Sequence, residues 1–462
     1  MKLSFHGADR GVTGSCHLIE SAGRHVLIDC GLYQGEHELA EENAGPFGFD
    51  PTALDYVLLT HAHLDHCGRL PLLVERGFRG EIITTAATRE LTRLVLLDAA
   101  QLQEEEARYL AHRAARHGAN QKAFQPLYSV LDALNTLDFF GRTATYGPSF
   151  VIAPGIHATF LDAGHILGSA SIFLQLEERD LHCGVLFSGD LGNIGGPLLR
   201  NPAIPPKTDV VVLETTYGNR LHKPLHLSVD ELYQAINETF ARGGNVIIPT
   251  FALERAQVLL YFLRQGLEQD RLPNTMQVFL DSPLAISATA IFEHHPECLE
   301  PKVAELFRNS GDPFNLRGLH FVRETSESVA LNSIKGGAII IAGSGMCTGG
   351  RVMHHLKHNL WRADSSIVFV GYAAVGTLAR RIIDGAKQVS IFGEDIQVKA
   401  SIHTINGFSA HADQAELLAW HKQADASRTF LVHGEEDVMR SFATKLADTR
   451  IEMPALNETF DL

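Results

Sequence analysis

The 462-residue chain contains no run of about 18 apolar residues, the length a helix needs to cross a bilayer. Cysteine is sparse. Cys16, Cys30, Cys67, Cys183, Cys298 and Cys347 stand singly with no C-x-x-C pair, a pattern of reduced, buried thiols rather than of disulfides. Basic charge is also short: 39 Lys and Arg face 54 Asp and Glu, a formal net charge of −15. That balance excludes a protein that coats nucleic acid electrostatically, though not a narrow site where bound cations supply the positive charge. The opening "MKLSFHGADRGVTGS" lacks the continuous apolar segment of a secretory signal. No internal repeat or low-complexity stretch is present. These absences predict a cytoplasmic protein that does not engage the membrane.

What remains is globular: 45% hydrophobic and 20% charged, over a length that predicts two domains. The first 200 residues read as short strands such as "HVLIDCGLYQ", "DYVLLTHAH", "EIITTAAT", "IHATFLDAGH" and "CGVLFSGDLG", most ending in Gly, Asp or His. A helical segment from about Thr88 to Asp138 interrupts them, and its "EEE" reads as a solvated helix face. The proline-rich "NPAIPPKTD" marks a boundary, after which apolar strands ("VVVLE", "NVIIPTF", "GAIIIAG", "SIVFVGY") alternate with helices. Such alternation predicts a parallel sheet covered on both faces. From about Gln397 the short-strand, His-bearing style returns. The expectation is an α/β chain in which residues 1–208 and 396–462 form one domain and 209–395 are inserted into it.

The densest chemistry is in "LLTHAHLDHCGRLP", where His61, His63, Asp65 and His66 fall within six residues after an apolar strand. In extended chain, residues two apart share a side, so His61 and His63 can converge on one ion. Asp65 and His66, beyond the bend, can face a second. Burying four such groups together without a cation would be costly, so the cluster reads as half of a binuclear centre. Imidazole and carboxylate suit zinc, with manganese as the alternative. The missing ligands should sit at other strand ends, where "LDAGHILGSA" offers His165, "LFSGDLGN" offers Asp190 and "FLVHGEED" offers His433.

In this order "LIDCG", "THAHLDHCG", "DAGHILGSA" and "FSGDLGN" resemble the four motifs of the metallo-β-lactamase fold, an αββα sandwich. "ETTYG", "FSAHAD" and "LVHGEE" resemble motifs A, B and C of the β-CASP nucleases, whose extra domain is inserted into that fold. The family includes the mRNA 3′-end processing endonuclease and its bacterial and archaeal relatives. The resemblance implies two Zn2+ (or Mn2+) ions. His61, His63 and His165 would hold one and Asp65, His66 and His433 the other, with Asp190 bridging. It implies Asp29 as a residue that orders the site, His411 as general acid and Glu214 as its polar partner, with Asp65 counted among the catalytic groups as well.

The activity implied is hydrolysis of RNA phosphodiester bonds by a hydroxide activated between two ions, endonucleolytic, with 5′-exonucleolytic cleavage as a second mode. His433 favours RNA, because the DNA-acting members resemble one another in an apolar residue there. Single-stranded RNA is the expected partner, in a cleft between the domains, with a homodimer or an RNA-processing complex as the expected assembly. The loop "GSGMCTGGR" reads either as a backbone cradle for an RNA phosphate, through Ser344, Gly345, Thr348, Gly349 and Arg351, or as a tight turn without a ligand. The basic residues between 351 and 387 read equally as phosphate contacts or as a solvated face. Three other functions fit parts of the pattern: a DNA nuclease of the same family, a small-molecule metallohydrolase, and an inactive scaffold for RNA processing.

Overall fold

The computed structural model describes all residues except 35–41, 117–124, 310, 372 and 374–375. The chain divides into two compact units, Met1–Leu221 with His411–Leu462, and His222–Ala410.

In the first unit two seven-stranded sheets lie face to face. One contains Arg24–Ile28, Tyr56–Leu58 and Glu81–Thr85, paired in parallel. The other contains Ile156–Asp162, Ala170–Glu178, Leu181–Phe187, Val210–Glu214 and Arg428–Val432. Alternating side chains from both, among them Ile19, Val26, Ile28, Leu58, Phe160, Leu174, Phe187, Val212 and Phe430, interdigitate as one core. A fully buried side chain of this size contributes about 1.5–3 kcal/mol by leaving water. The other face of the second sheet, through Leu186, Val211, Leu213 and Leu431, is covered by Leu417 and Trp420 of the helix Gln414–Ala424 and by Met439 and Phe442 of Glu436–Ala443. The helix Ala86–Arg116 packs against Glu81–Thr85 and Phe140–Ala144 of the first sheet, so helix, sheet, sheet and helix stack as the expected αββα sandwich.

Strand direction positions the site. Ile156–Asp162 and Leu181–Phe187 are both antiparallel to Ala170–Glu178, and Val210–Glu214 and Arg428–Val432 run parallel to Leu181–Phe187. These four strands thus point the same way, and the loops after them open at one edge.

The second unit is built on six parallel strands flanked by helices. Its centre is almost wholly apolar: Val246–Pro249 and Ala338–Ala342 are buried along their length, as strands covered on both faces must be.

Three boundaries differ from the sequence reading. Val210–Glu214 pairs with Leu181–Phe187 and Arg428–Val432, so residues 209–221 stay with the first unit. Ser401–Thr404 pairs with Ser366–Phe369, so residues 396–410 belong to the second. The long helical segment is a helix Ala86–Arg116 and a short one Val130–Thr136; its residues 117–124 lie outside the described ones. Five cysteines are buried and Cys183 is partly so, all as free thiols. Among the described residues no helix is long and apolar enough to cross a membrane.

Candidate metal centre

The seven residues expected as ligands come from four separate loops and meet at one edge of the first unit. His61 and His63 leave the strand Tyr56–Leu58 in extended chain, and Asp65 and His66 follow on a single helical turn, Leu64–Cys67. That turn is pinned from behind, where the backbone N–H groups of Ser15 and Leu32 donate to the carbonyls of Asp65 and Leu64 at 2.8 Å. The approach needs glycine at 31, because a Cβ there would fall 1.6 Å from the Asp65 carbonyl oxygen. His165 lies in the turn between Ile156–Asp162 and Ala170–Glu178, Asp190 follows Leu181–Phe187, and His433 follows Arg428–Val432.

One donor set is His61, His63, His165 and Asp190. His63 Nδ1 is 3.1 Å from His61 Nε2 and 3.2 Å from His165 Nε2. Asp190 Oδ2 is 3.5 Å from the first of these Nε2 atoms and 3.6 Å from the second. Ligands about 2.0–2.1 Å from a common ion in a tetrahedron stand roughly 3.4 Å apart, so this spacing fits one cation. The other set is Asp65, His66 and His433. Here His433 Nε2 is 3.3 Å from His66 Nε2 and 3.4 Å from Asp65 Oδ2. The second oxygen of Asp190, Oδ1, is 3.3 Å from His66 Nε2. Among the described residues no donor approaches that buried oxygen with hydrogen-bond geometry, as befits an atom reserved for a cation. One carboxylate thus faces both sets.

Asp29 is not part of either set. Its carboxylate accepts hydrogen bonds from Thr60 N (2.8 Å), Thr60 Oγ1 (2.8 Å) and His66 Nδ1 (2.7 Å). This holds a proton on Nδ1 and turns Nε2 toward the second set, an outer carboxylate acting through a histidine. Thr60 was missed in the sequence. Its hydroxyl also lies 3.0 Å from His61 Nδ1, and the only signal was a hydroxyl residue directly before the histidine motif. Thr216 and Ser169 were missed as well. Thr216 Oγ1 is 3.1 Å from His433 Nδ1, and Ser169 Oγ accepts from His165 N at 3.0 Å.

The electrostatics suit cation binding. Burial pushes His61 down and His63 down to about 4, so both present neutral lone pairs. Burial pushes Asp190 up, but the imidazoles of His433, His66 and His61 outweigh it and hold the carboxyl well below the usual range. Burial opposes a charge on His66, but Asp190 and Asp29 outweigh it and raise its pKa well above the ordinary value, so a cation at the second set would displace its Nε2 proton. With the seven donors converging in two sets, the residues fit two divalent ions.

Beside this cluster, His411 Nδ1 is 3.3 Å from Glu214 Oε1 and 4.0 Å from Asp190 Oδ2. Glu214 is held at the end of its strand, Oε1 accepting from Leu191 N at 2.8 Å and Oε2 from Thr216 N at 3.2 Å. Burial lowers the His411 pKa, but the charge and hydrogen bond of Glu214, with Asp190 and Asp65, outweigh it and raise the pKa above the ordinary value.

A family model described as the metallo-beta-lactamase superfamily matches residues 9–250, and one described as the Beta-Casp domain matches 256–382. The chain belongs to the β-CASP family of metallo-β-lactamases. A third model, the Zn-dependent metallo-hydrolase RNA specificity domain, matches the returning segment at 395–455. Among β-CASP relatives, Ribonuclease TTHA0252 of Thermus thermophilus is 40% identical over 97% of this chain and 96% of its own length. Transcription termination factor FttA of Methanocaldococcus jannaschii is 31% identical over 96% of this chain and 68% of its own length. A crystal structure of a protein of unknown function from Enterococcus faecalis V583 superposes with a TM-score of 0.56 at 12% identity, covering 100% of this chain and 99% of that one. That likeness shows the fold alone.

In the second unit, the expected phosphate-loop residues divide. Ser344, Gly345, Thr348 and Gly349 form one tight loop, Thr348 N donating to Ser344 Oγ at 3.1 Å. Arg351 is engaged elsewhere: Nη1 donates to Asp281 Oδ1 (2.6 Å) and Val322 O (3.0 Å), and Nη2 to Arg323 O (2.6 Å). Of the other basic residues there, Lys357 pairs with Glu394, Arg362 with Asp364 and Arg380 with Asp384. These pairings favour the solvated-face reading. His295 pairs with Glu297 and His355 with Asp281, both structural roles.

Proposed function

We propose that this protein is a metal-dependent ribonuclease, acting in the cytoplasm on single-stranded RNA. The observation that carries the reading is the convergence of His61, His63, His165, Asp190, Asp65, His66 and His433 on one edge, with the His411–Glu214 pair beside them. A small-molecule hydrolase would have no use for that pair.

The fitting ions are two Zn2+, with Mn2+ as the alternative; when bound they would make water acidic enough to attack near neutral pH and offset charge on the phosphoryl oxygens. Asp65 and Asp190 supply the carboxylates among which the attacking water is oriented. His411, charged near neutrality because Glu214 faces it, protonates the departing ribose oxygen. Asp29 and Thr60 hold the histidines in the required tautomers. In the second unit, the hydroxyls of Ser344 and Thr348 and the backbone N–H groups of Gly345 and Gly349 receive an RNA phosphate, and Arg351 braces that loop through Asp281 rather than contacting RNA itself.

The test uses one RNA labelled at its 5′ end and again at its 3′ end, incubated with the Zn2+- or Mn2+-loaded protein and with His411→Ala. Shortened labelled fragments from both ends mark endonucleolytic cleavage, and release of the labelled 5′ mononucleotide marks the exonucleolytic mode. His411→Ala should keep its ions and lose about 10²–10⁴-fold in turnover. Absence of RNA cleavage by the loaded protein refutes the reading, and unchanged turnover in the variant removes His411 from it.

A further inference from the structure

The order of the six-stranded sheet is Leu319–Phe321, Gln277–Asp281, Ala338–Ala342, Val246–Pro249, Ser366–Phe369, Ser401–Thr404. From Val246–Pro249 the chain crosses, by way of the helix Arg255–Glu268, to Gln277–Asp281 on one side. From the adjacent Ala338–Ala342 it crosses, by way of the helix Arg351–Asn359, to Ser366–Phe369 on the other. Right-handed crossovers in opposite directions put these helices on opposite faces, which opens a crevice at the carboxyl ends of the two central strands. That is where parallel α/β sheets bind ligands. Its two walls are residues 250–254 and the glycine-rich loop 343–350.

Phe251 stands in this crevice. It is 37% exposed, although it follows a strand buried along its whole length. A single exposed phenylalanine is ordinary on a protein surface, but this one is braced. A Cβ at Gly345 would lie 2.9 Å from two carbons of its ring, so bare backbone of the neighbouring loop supports the ring on one side. The segment that carries Phe251 is also held in a costly conformation. Glu254 has φ 64° and ψ −54°, and Arg255 N donates to Leu253 O at 2.8 Å across it, the strained form of γ-turn. Strain of this kind persists where surroundings enforce it, and it collects at ligand sites. The buried Arg255 guanidinium donates to Val370 O on the far rim. The result is a flat aromatic surface on rigid supports, next to the hydroxyls of Ser344 and Thr348 and the backbone of Gly345.

We propose that Phe251 is a stacking platform for one base of the RNA, the base attached to the phosphate received by the Ser344–Gly349 loop. The assignment rests on the ribonuclease reading. Every base has a π-face, so such a platform holds the strand without choosing its sequence.

The test measures binding of single-stranded RNA to the metal-loaded protein carrying His411→Ala, so that the RNA is not consumed. 2-Aminopurine is placed at successive positions, and Phe251 is changed to Leu or Tyr. Leucine keeps apolar contact with Gly345 and lacks the π-face; tyrosine keeps both. At one position the 2-aminopurine emission should be quenched on binding, the quench should vanish in Phe251→Leu, and Kd should rise about five-fold or more. Phe251→Tyr should restore both. Equal Kd for Phe251→Leu and the parent, or a quench that does not depend on residue 251, overturns the assignment while leaving the ribonuclease reading intact. That reading fails separately if the unsubstituted protein does not cleave the same RNA.

Discussion

Replacing Asp29 with asparagine changes one atom and should cost one ion. In the native site Asp29 Oδ2 accepts from His66 Nδ1 at 2.7 Å, which keeps the ring proton on that side. Asparagine can still accept from Thr60 N, now 2.8 Å from Oδ1. Its amide N–H groups then face His66 Nδ1, donor against donor. The imidazole relieves the conflict by moving its proton to Nε2, and Nε2 is the atom shared with Asp65 and His433. Loss of such an outer partner typically weakens metal affinity 10–100-fold, or about 1.4–2.7 kcal/mol. The set of His61, His63 and His165 does not touch Asp29 and should keep its ion. Dialysis of Asp29→Asn against graded chelator, with elemental analysis of the protein, should therefore show loss in two steps, the first at 10–100-fold lower chelator than in the native protein. A variant that keeps both ions with unchanged affinity would refute the claim that Asp29 acts by setting the His66 tautomer.

Two further substitutions probe the acid pair and the second unit. Glu214→Gln removes the charge that raises the His411 pKa; because the imidazolium is the competent acid and exists below its pKa, the alkaline fall in kcat should move to lower pH, and an unmoved limb would contradict the pairing. In the second unit, Asp281→Ala leaves Arg351 and His355 without their buried carboxylate and should cost on the order of 3 kcal/mol in urea unfolding of that unit. Burial pushes Asp281 up, but hydrogen bonds from His355, Ser328 and Arg351 outweigh it and depress the carboxyl, so its contribution is present at neutral pH and lost as pH falls through that depressed value. A loss under 1 kcal/mol would show the network to be dispensable.

How far the sequence could be read depended on distance along the chain. The motif from His61 to His66 is legible because its four ligands need only local geometry to share a site. His165, Asp190 and His433 carry no such mark: each is one polar residue at a strand end, and only the resemblance to a known fold assembles them. Thr60, whose hydroxyl ties Asp29 to the histidines, looks like any strand residue until its partner 31 positions away is in place. The same holds for Arg351, which reads as a free positive charge and is bound to a carboxylate 70 positions earlier. The domain boundary at 208 was misplaced because Val210–Glu214 is buried on both faces. A strand covered twice looks alike in either unit's sheet, and its pairing with Leu181–Phe187 leaves no trace in hydrophobic pattern. Ser401–Thr404 failed the opposite way, since an edge strand is only partly buried and reads as polar.

The most direct measurement is anomalous diffraction at the zinc edge from crystals of the Zn2+-loaded protein. Two peaks per chain are expected, one among His61, His63 and His165 and one among Asp65, His66 and His433, each in contact with an oxygen of Asp190. A single peak, or two peaks with Asp190 bound to neither, would contradict a bridged binuclear centre.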